Sequence, residues 1–243
     1  MEQPTRRGVQ RVRHELHIRD VEVVRVEALG DAFARITFRG DALAQFVSAS
    51  FDDHVKFMFD GTDGQQVRRD FTPLDYDAVA CELSLEFALH ESGAASSWAR
   101  RAQPGQPAII AGPRGSMIIS QDYDWHLLAG DRSALPAIRR RLAELPAGSR
   151  VIAVVAASGA DRLPLDSRAQ MDLAWVDSDA ELLDALRSLV LPAGEGFAWF
   201  AGEAATAKQI RTVLAEEKSL PKEAMRVSAY WKQGVADHHE HLE

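Results

Sequence analysis

Residues 125–138, WHLLAGDRSALPAI, decide the fold. Trp125–Ala129 is a short apolar run of strand length, and Gly130-Asp131 interrupts it. Ser133 then stands as an expected N-cap for an amphipathic stretch near Ser133–Leu145. Pro136 falls in that helix's first turn, where a missing N–H costs little. A strand that runs straight into a helix is half of a βαβ unit, and the pattern recurs downstream. Val151–Ala156, Leu173–Val176, Phe197–Ala201 and Arg226–Tyr230 read as further apolar strands. Amphipathic stretches Asp179–Leu189, with Asp179 as expected N-cap, and Ala204–Glu217 alternate with them. This alternation predicts a parallel sheet covered by helices on both faces.

Towards the N-terminus the rhythm is different. Val21–Val26, Ala34–Phe38, His54–Phe59 and Glu82–Leu89 are rich in Val, Ile and Phe, and Asp60-Gly61 and Asp63-Gly64 punctuate them as hairpin turns would. Glu82–Leu89 alternates polar and apolar residues, the period of a half-buried strand. Several short strands in about 100 residues predict an antiparallel barrel or sandwich. The expected organisation is therefore a β-domain over residues 1–122 and an α/β domain over residues 123–243, with the junction near Gln121–Asp124.

Composition bounds the function. The chain has 243 residues, 46% apolar and 26% charged, which is the make-up of an ordered globular protein of one large or two medium domains. No run approaches the roughly 18 apolar residues of a membrane span. Five arginines lie among the first twenty residues with no apolar core beside them, so no secretion signal is expected and the cytoplasm is the default compartment. Arg6, Arg7, Arg11 and Arg13 are expected in a solvated or flexible segment. A net charge of −8 is a poor match to nucleic acid. The single cysteine, Cys81, excludes an internal disulfide and is expected to be a small core-facing residue. Asp237-His238-His239-Glu240-His241 carries ligand-type side chains. It follows the last recognisable element, so a structureless tail is expected there and no metal site.

Several stretches could carry chemistry. Arg69-Asp70-Phe71-Thr72-Pro73 offers a guanidinium fork, an aromatic face and a hydroxyl that could clamp an anionic cofactor. Taken alone it reads first as a strand end with a solvated arginine and a core phenylalanine. From His90 to Arg100, the small residues Gly93, Ala94 and Ala95 open a short helix whose amides could approach a pyrophosphate. The alternative there is a capped surface helix anchored by Trp98, with His90 a hydrogen-bonded strand-end residue. Gly112-Pro113-Arg114-Gly115 is a tight turn in which Arg114 could touch a cofactor. Gly130-Asp131, and Gly202-Glu203 later in the same domain, sit at strand-to-helix transitions that could present a helix N-terminus to a phosphate.

In this order, the segments resemble the siderophore-interacting proteins, flavin-dependent ferric-siderophore reductases related to the ferredoxin–NADP reductases. The resemblance runs from about Val9 to Gly234. Arg69-Asp70-Phe71-Thr72 is similar to the family's arginine–x–tyrosine–threonine flavin signature, with Phe71 in the tyrosine position. Gly93, Ser96 and Trp98 stand at the spacing of its second flavin segment, and Tyr230-Trp231-Lys232-Gln233-Gly234 resembles its closing motif. Leu74 replaces an arginine that the family usually places after the threonine.

The resemblance implies FAD on the β-domain and NADPH or NADH entering from the α/β domain. It implies reduction of Fe(III) in a ferric siderophore, with no side-chain nucleophile. Cofactor contacts are expected from Arg69, Phe71, Thr72, His90, Gly93, Ala95, Ser96, Trp98, Arg114, Gly130, Asp131, Gly202, Glu203 and Trp231. Lys232 and Lys56 are expected to meet an anionic ferric chelate. The strand Val151–Ala156 ends without an acid for a ribose 2′-hydroxyl, and Ser158 and Arg162 could meet a 2′-phosphate, which tilts the expectation to NADPH. A ferredoxin could replace the nicotinamide donor, and a monomer is expected. Two other readings remain open: a flavoreductase of this fold with a different acceptor, and a siderophore- or flavin-binding protein without reductase activity.

Overall fold

The structure is a computed structural model that describes residues 7–61, 64–90, 93–235 and 240–242. Its N-terminal portion carries β1 (Val9–Arg13), β2 (Ile18–Leu29), β3 (Phe33–Arg39), β4 (Val55–Asp60), β5 (Gln66–Phe71), β6 (Asp75–Asp77), β7 (Glu82–Ala88), α1 (Ala94–Ala99), β8 (Pro107–Ala111) and β9 (Gly115–Ile119). The C-terminal portion carries β10 (Trp125–Asp131), α2 (Leu135–Glu144), β11 (Arg150–Ala156), β12 (Gln170–Val176), α3 (Asp179–Ser188), β13 (Gly196–Glu203), α4 (Ala204–Thr212), β14 (Met225–Trp231) and β15 (Glu240–Leu242). Contacts divide the chain into two compact units: Arg11–Met117 with Gly159–Pro164, and Met1–Gln10 with Ile118–Ser158 and Leu165–Glu243.

The β-unit is a seven-stranded antiparallel sheet in the order β5-β4-β8-β2-β3-β7-β6. Its two edge strands, β5 and β6, are consecutive in sequence and joined only by Thr72, Pro73 and Leu74. So short a connection holds the edges within roughly 14 Å of each other, which forces the sheet to curl into a barrel. Aromatic rings fill it. Phe38, Phe57, Phe59 and Phe87 surround Trp98, whose ring centroid is 4.8 Å from that of Phe57. Trp98 belongs to α1, which packs against β7 and β5.

In the other unit β12, β11, β10, β13 and β14 run parallel in that spatial order, and β15 is antiparallel to β14. β10 is buried along its whole length, as the central strand should be. Trp125, Leu127 and Ala129 of β10 pack into the core shared with α3 and α4. Side chains alternate along a strand, so His126, Leu128 and Gly130 face the other way, towards α2. Gly196 is required by this packing, because a Cβ there would lie 2.0 Å from the Trp125 indole.

The structure corrects several expectations. Ser133 and Asp179 are not N-caps: Asp131 accepts from the Ser133 amide, and Ser178 accepts from the Glu181 amide. Asp179 instead accepts from the Thr206 hydroxyl at 2.8 Å. β12 is an edge strand with Asp172–Ala174 exposed, because the connection from β11 has a single 3-10 turn, Gly159–Asp161, in place of a covering helix. The arginine-rich start forms β1, paired with β9, and Arg7 is ion-paired to Asp124 at 2.7 Å; Arg6 lies outside the described residues. In the expected tail, β15 extends the sheet, while residues 236–239, including His238 and His239, lie outside the described residues. Cys81 is half-buried against the barrel core at a turn position with φ of 53°. No helix among the described residues is long and apolar enough to cross a membrane.

Candidate functional site

In the α/β unit, successive connections from β10 lead first to β11 and β12 on one side, then to β13 and β14 on the other. The direction changes between β10 and β13. Ligands of open parallel sheets bind outside the carboxyl ends of the strands at such a switch point. Gly130-Asp131 closes β10 and Gly202-Glu203 closes β13, so both pairs flank it. Their local roles are defined. A Cβ on Gly130 would lie 2.3 Å from the Ala201 carbonyl oxygen and 2.5 Å from the Ala134 Cβ. One on Gly202 would lie 2.9 Å from the Asp131 carboxylate.

Both acids are taken up by their own chain. Asp131 is buried and accepts from the Ser133 amide (2.7 Å), the Ser133 hydroxyl (2.5 Å) and the Trp231 indole N–H (2.7 Å). Burial pushes its carboxyl above the usual range, and those three donors pull it back only in part. Glu203 caps α4 by accepting from the amides of Ala205 and Thr206, and its other oxygen accepts from the Gln233 amide at 3.4 Å. Desolvation opposes its ionisation, but the amide donors win and hold its carboxyl below the usual range. Trp231 is 42% exposed and Lys232 is exposed beside it.

In the β-unit, Arg69 is half-buried near the end of β5 and donates to the Arg68 carbonyl at 2.7 Å. Phe71 is half-buried with its ring centroid 4.3 Å from that of Phe87, and Thr72 is buried in the link between the barrel's edge strands. Lys56 lies opposite Asp70 in the β4–β5 ladder and pairs with it at 3.0 Å, so its charge is largely offset. Ser96 knits its turn by donating to the His90 carbonyl (2.7 Å) and accepting from the His90 amide (3.0 Å). Gly93, at φ of 129°, lies where a Cβ would strike the His90 imidazole at 2.5 Å. The N-cap of α1 is Gly93, which brings no capping side chain, and Ala95 lies in the helix's first turn. Arg114 is exposed in the turn between β8 and β9.

The family model of the siderophore-interacting protein matches residues 123–234, and that of the siderophore-interacting FAD-binding domain matches 22–68 and 60–117. The chain is 36% identical to an NADPH-dependent ferric-chelate reductase of Escherichia coli over 93% of this chain and 98% of that protein. The chain belongs to the siderophore-interacting protein family.

This siderophore-interacting protein is also 26% identical to a ferric vibriobactin reductase of Vibrio cholerae, over 92% of each chain. Among solved structures it resembles a siderophore utilization protein from T. fusca, with a TM-score of 0.87, 31% identity and coverage of 94% and 98%.

Sequence reasoning missed three features of this siderophore-interacting protein. Arg19, 4% exposed, donates to the Gly112 carbonyl at 2.9 Å and so fixes the turn that carries Arg114. Asp53, 2% exposed, accepts from Ser48, Ser116 and the Ser50 amide, which orders the approach to β4. His126 is buried in β10 beside Arg141 of α2. Gly112, Ser116 and Arg141 lie on other elements than the residues they meet, so no local spacing announces these contacts. Ser158 and Arg162 are exposed, and Arg162 falls in the Gly159–Pro164 stretch that clusters with the β-unit.

Proposed function

We infer that this chain is an NADPH-dependent, FAD-containing reductase that converts Fe(III) in a ferric siderophore to Fe(II). The observation that carries the reading is that one chain joins the matched FAD-binding segment to a parallel sheet with a switch point in its strand order, and does so along nearly the full length of a ferric-chelate reductase. We assign residues 1–122 to the flavin domain and 123–243 to the nicotinamide domain, in a cytoplasmic monomer. Bound FAD would supply the chemistry that links a two-electron hydride donor to two one-electron reductions of Fe(III). Fe(II) binds hard oxygen donors less tightly, so the chelator releases it.

The residues present suit the cofactor. Arg69 offers a fork for phosphate, Thr72 a hydroxyl, and Phe71 a ring face without the tyrosine hydroxyl of the family motif. Gly93 leaves the space of its missing Cβ to the His90 imidazole, and Ala95, Ser96 and Trp98 hold the short helix behind it. Arg114 and Trp231 complete the proposed cofactor set. With Leu74 in place of an arginine, the flavin or substrate has one cation fewer, and Lys232 becomes the leading contact for an anionic chelate because Lys56 is paired to Asp70.

The test is the visible spectrum of the purified protein with FAD supplied. A bound-flavin spectrum bleached by NADPH without oxygen and restored by a ferric siderophore supports the reading. Bleaching without restoration assigns another acceptor, and failure to bind FAD leaves a binding role. Bleaching by reduced ferredoxin but not by NADPH changes the donor. Arg69→Ala is expected to weaken FAD retention about tenfold, the scale of one charge-assisted hydrogen bond; equilibrium dialysis measures it. Lys232→Ala should raise KM for anionic ferric chelates about fivefold with flavin content unchanged, an effect that added salt should shrink.

A further inference from the structure

Trp231 reaches Asp131 through an irregularity in the sheet. Along β13 and β14 the register pairs Gly202 with Ala229 but Glu203 with Trp231, leaving Tyr230 as an extra residue. A bulge of this kind re-aims the side chains that follow it, and bulges concentrate beside functional sites. Here the indole N–H meets a buried carboxylate 100 residues away, and the Gln233 amide meets Glu203 just beyond. The turn after β14 is thus tied to the ends of β10 and β13 at two points.

The tie has consequences for both partners. The Asp131 oxygens are filled by Ser133 and Trp231, and on the Gly202 side an added Cβ would lie 2.9 Å from the carboxylate. The Ser133 amide and hydroxyl at that helix start are already committed to Asp131, so a phosphate there would lose those two donors and meet a carboxylate. The only polar atom of the Trp231 side chain is committed to Asp131, so the exposed part of that side chain is flat hydrocarbon ring. It is held at the carboxyl edge of the sheet beside the switch point. A ring already fixed in orientation loses less entropy when another ring stacks on it.

We propose that Asp131 is a positioning residue: it holds the Trp231 indole in one orientation, and that indole receives a planar ring of the pyridine nucleotide. This rests on the reductase reading. It replaces a phosphate seat at Gly130-Asp131 with an aromatic platform built by the same residues.

The chain has five tryptophans, so indole-¹⁵N labelling of the full-length, FAD-loaded protein yields at most five side-chain N–H resonances. Trp231→Phe identifies the relevant one by its loss. In the parent, that resonance should be protected from solvent exchange and should move when NADP⁺, which transfers no hydride, is added. Asp131→Asn keeps an acceptor oxygen but not the charge. It should weaken the protection and raise KM for NADPH about fivefold while kcat stays within about twofold. Asp131→Asn combined with Trp231→Phe should be no worse than Trp231→Phe alone, because the carboxylate acts through the indole. Additive losses in the double variant would overturn the proposal, as would a Trp231 resonance indifferent to NADP⁺. The parent readout stands even if Asp131→Asn fails to fold. A parent that NADPH cannot reduce defeats the reductase reading, whereas one that is reduced with an unresponsive Trp231 defeats only the positioning role.

Discussion

Gly130→Ala is expected to destabilise the α/β unit by about 3 kcal/mol and to lower its melting transition by roughly 10 °C. The added methyl would meet the Ala201 carbonyl oxygen at 2.3 Å on one side and the Ala134 Cβ at 2.5 Å on the other. Neither neighbour is the free end of a flexible side chain. Gly130 pairs with Ala201 in the β10–β13 ladder, and Ala134 sits in the turn that starts α2. Relief therefore requires the central strands to part or the helix to lift. Thermal unfolding by circular dichroism, with no nucleotide present, measures the loss. A transition within about 2 °C of the parent would mean that β10, β13 and the α2 start are not packed as closely as described.

Acidification should destabilise the same unit through His126. The imidazole is 1% exposed, and its pKa is lowered to about 4, first by burial and then by the neighbouring Arg141 guanidinium. In the unfolded chain the ring takes up a proton near pH 6.5. Above that pH both states are neutral and the contribution is fully present. As pH falls from 6.5 towards 4, the unfolded state gains a proton that the folded state refuses, and stability drains away. By pH 4.5 the loss from this one group is about 2.5 kcal/mol relative to pH 7. Urea unfolding of the parent and of His126→Gln across this range isolates the effect, since every other titrating group is common to both. The stability difference between the two should change by that amount. Parallel profiles would show that the ring is hydrated in the folded protein.

The alternation of strands and helices after residue 120 was legible because each element carries its own period. Apolar runs of strand length and amphipathic stretches of helix length can be recognised without neighbours. The strands over Val21–Val26, Ala34–Phe38, His54–Phe59 and Glu82–Leu89 were legible for the same reason, and they fall within or along β2, β3, β4 and β7. β1 and β5 are less so, since VQRVR and QVRRDF carry too much charge to read as strands alone. They are extended because β9 and β4 offer them hydrogen-bonding edges. The helix starts went astray by one or two residues, because Asp131, Ser133, Ser178 and Asp179 are all competent caps and only the backbone path selects among them.

The order of motifs along the chain carried the family, and with it the types of residue that a flavin and a nucleotide require. What those residues do was decided by contacts that sequence distance conceals. Gly130 reads as room for a phosphate and is room for the Ala201 carbonyl. Asp131 reads as a ligand contact and is the anchor of Trp231. Lys56 reads as a free cation and lies against Asp70. Local composition specifies which elements form, because periodicity and capping act over a few residues. The neighbours of a side chain at a strand end are supplied by sheet order and register, which bring residues 70 or 100 positions apart within bonding distance.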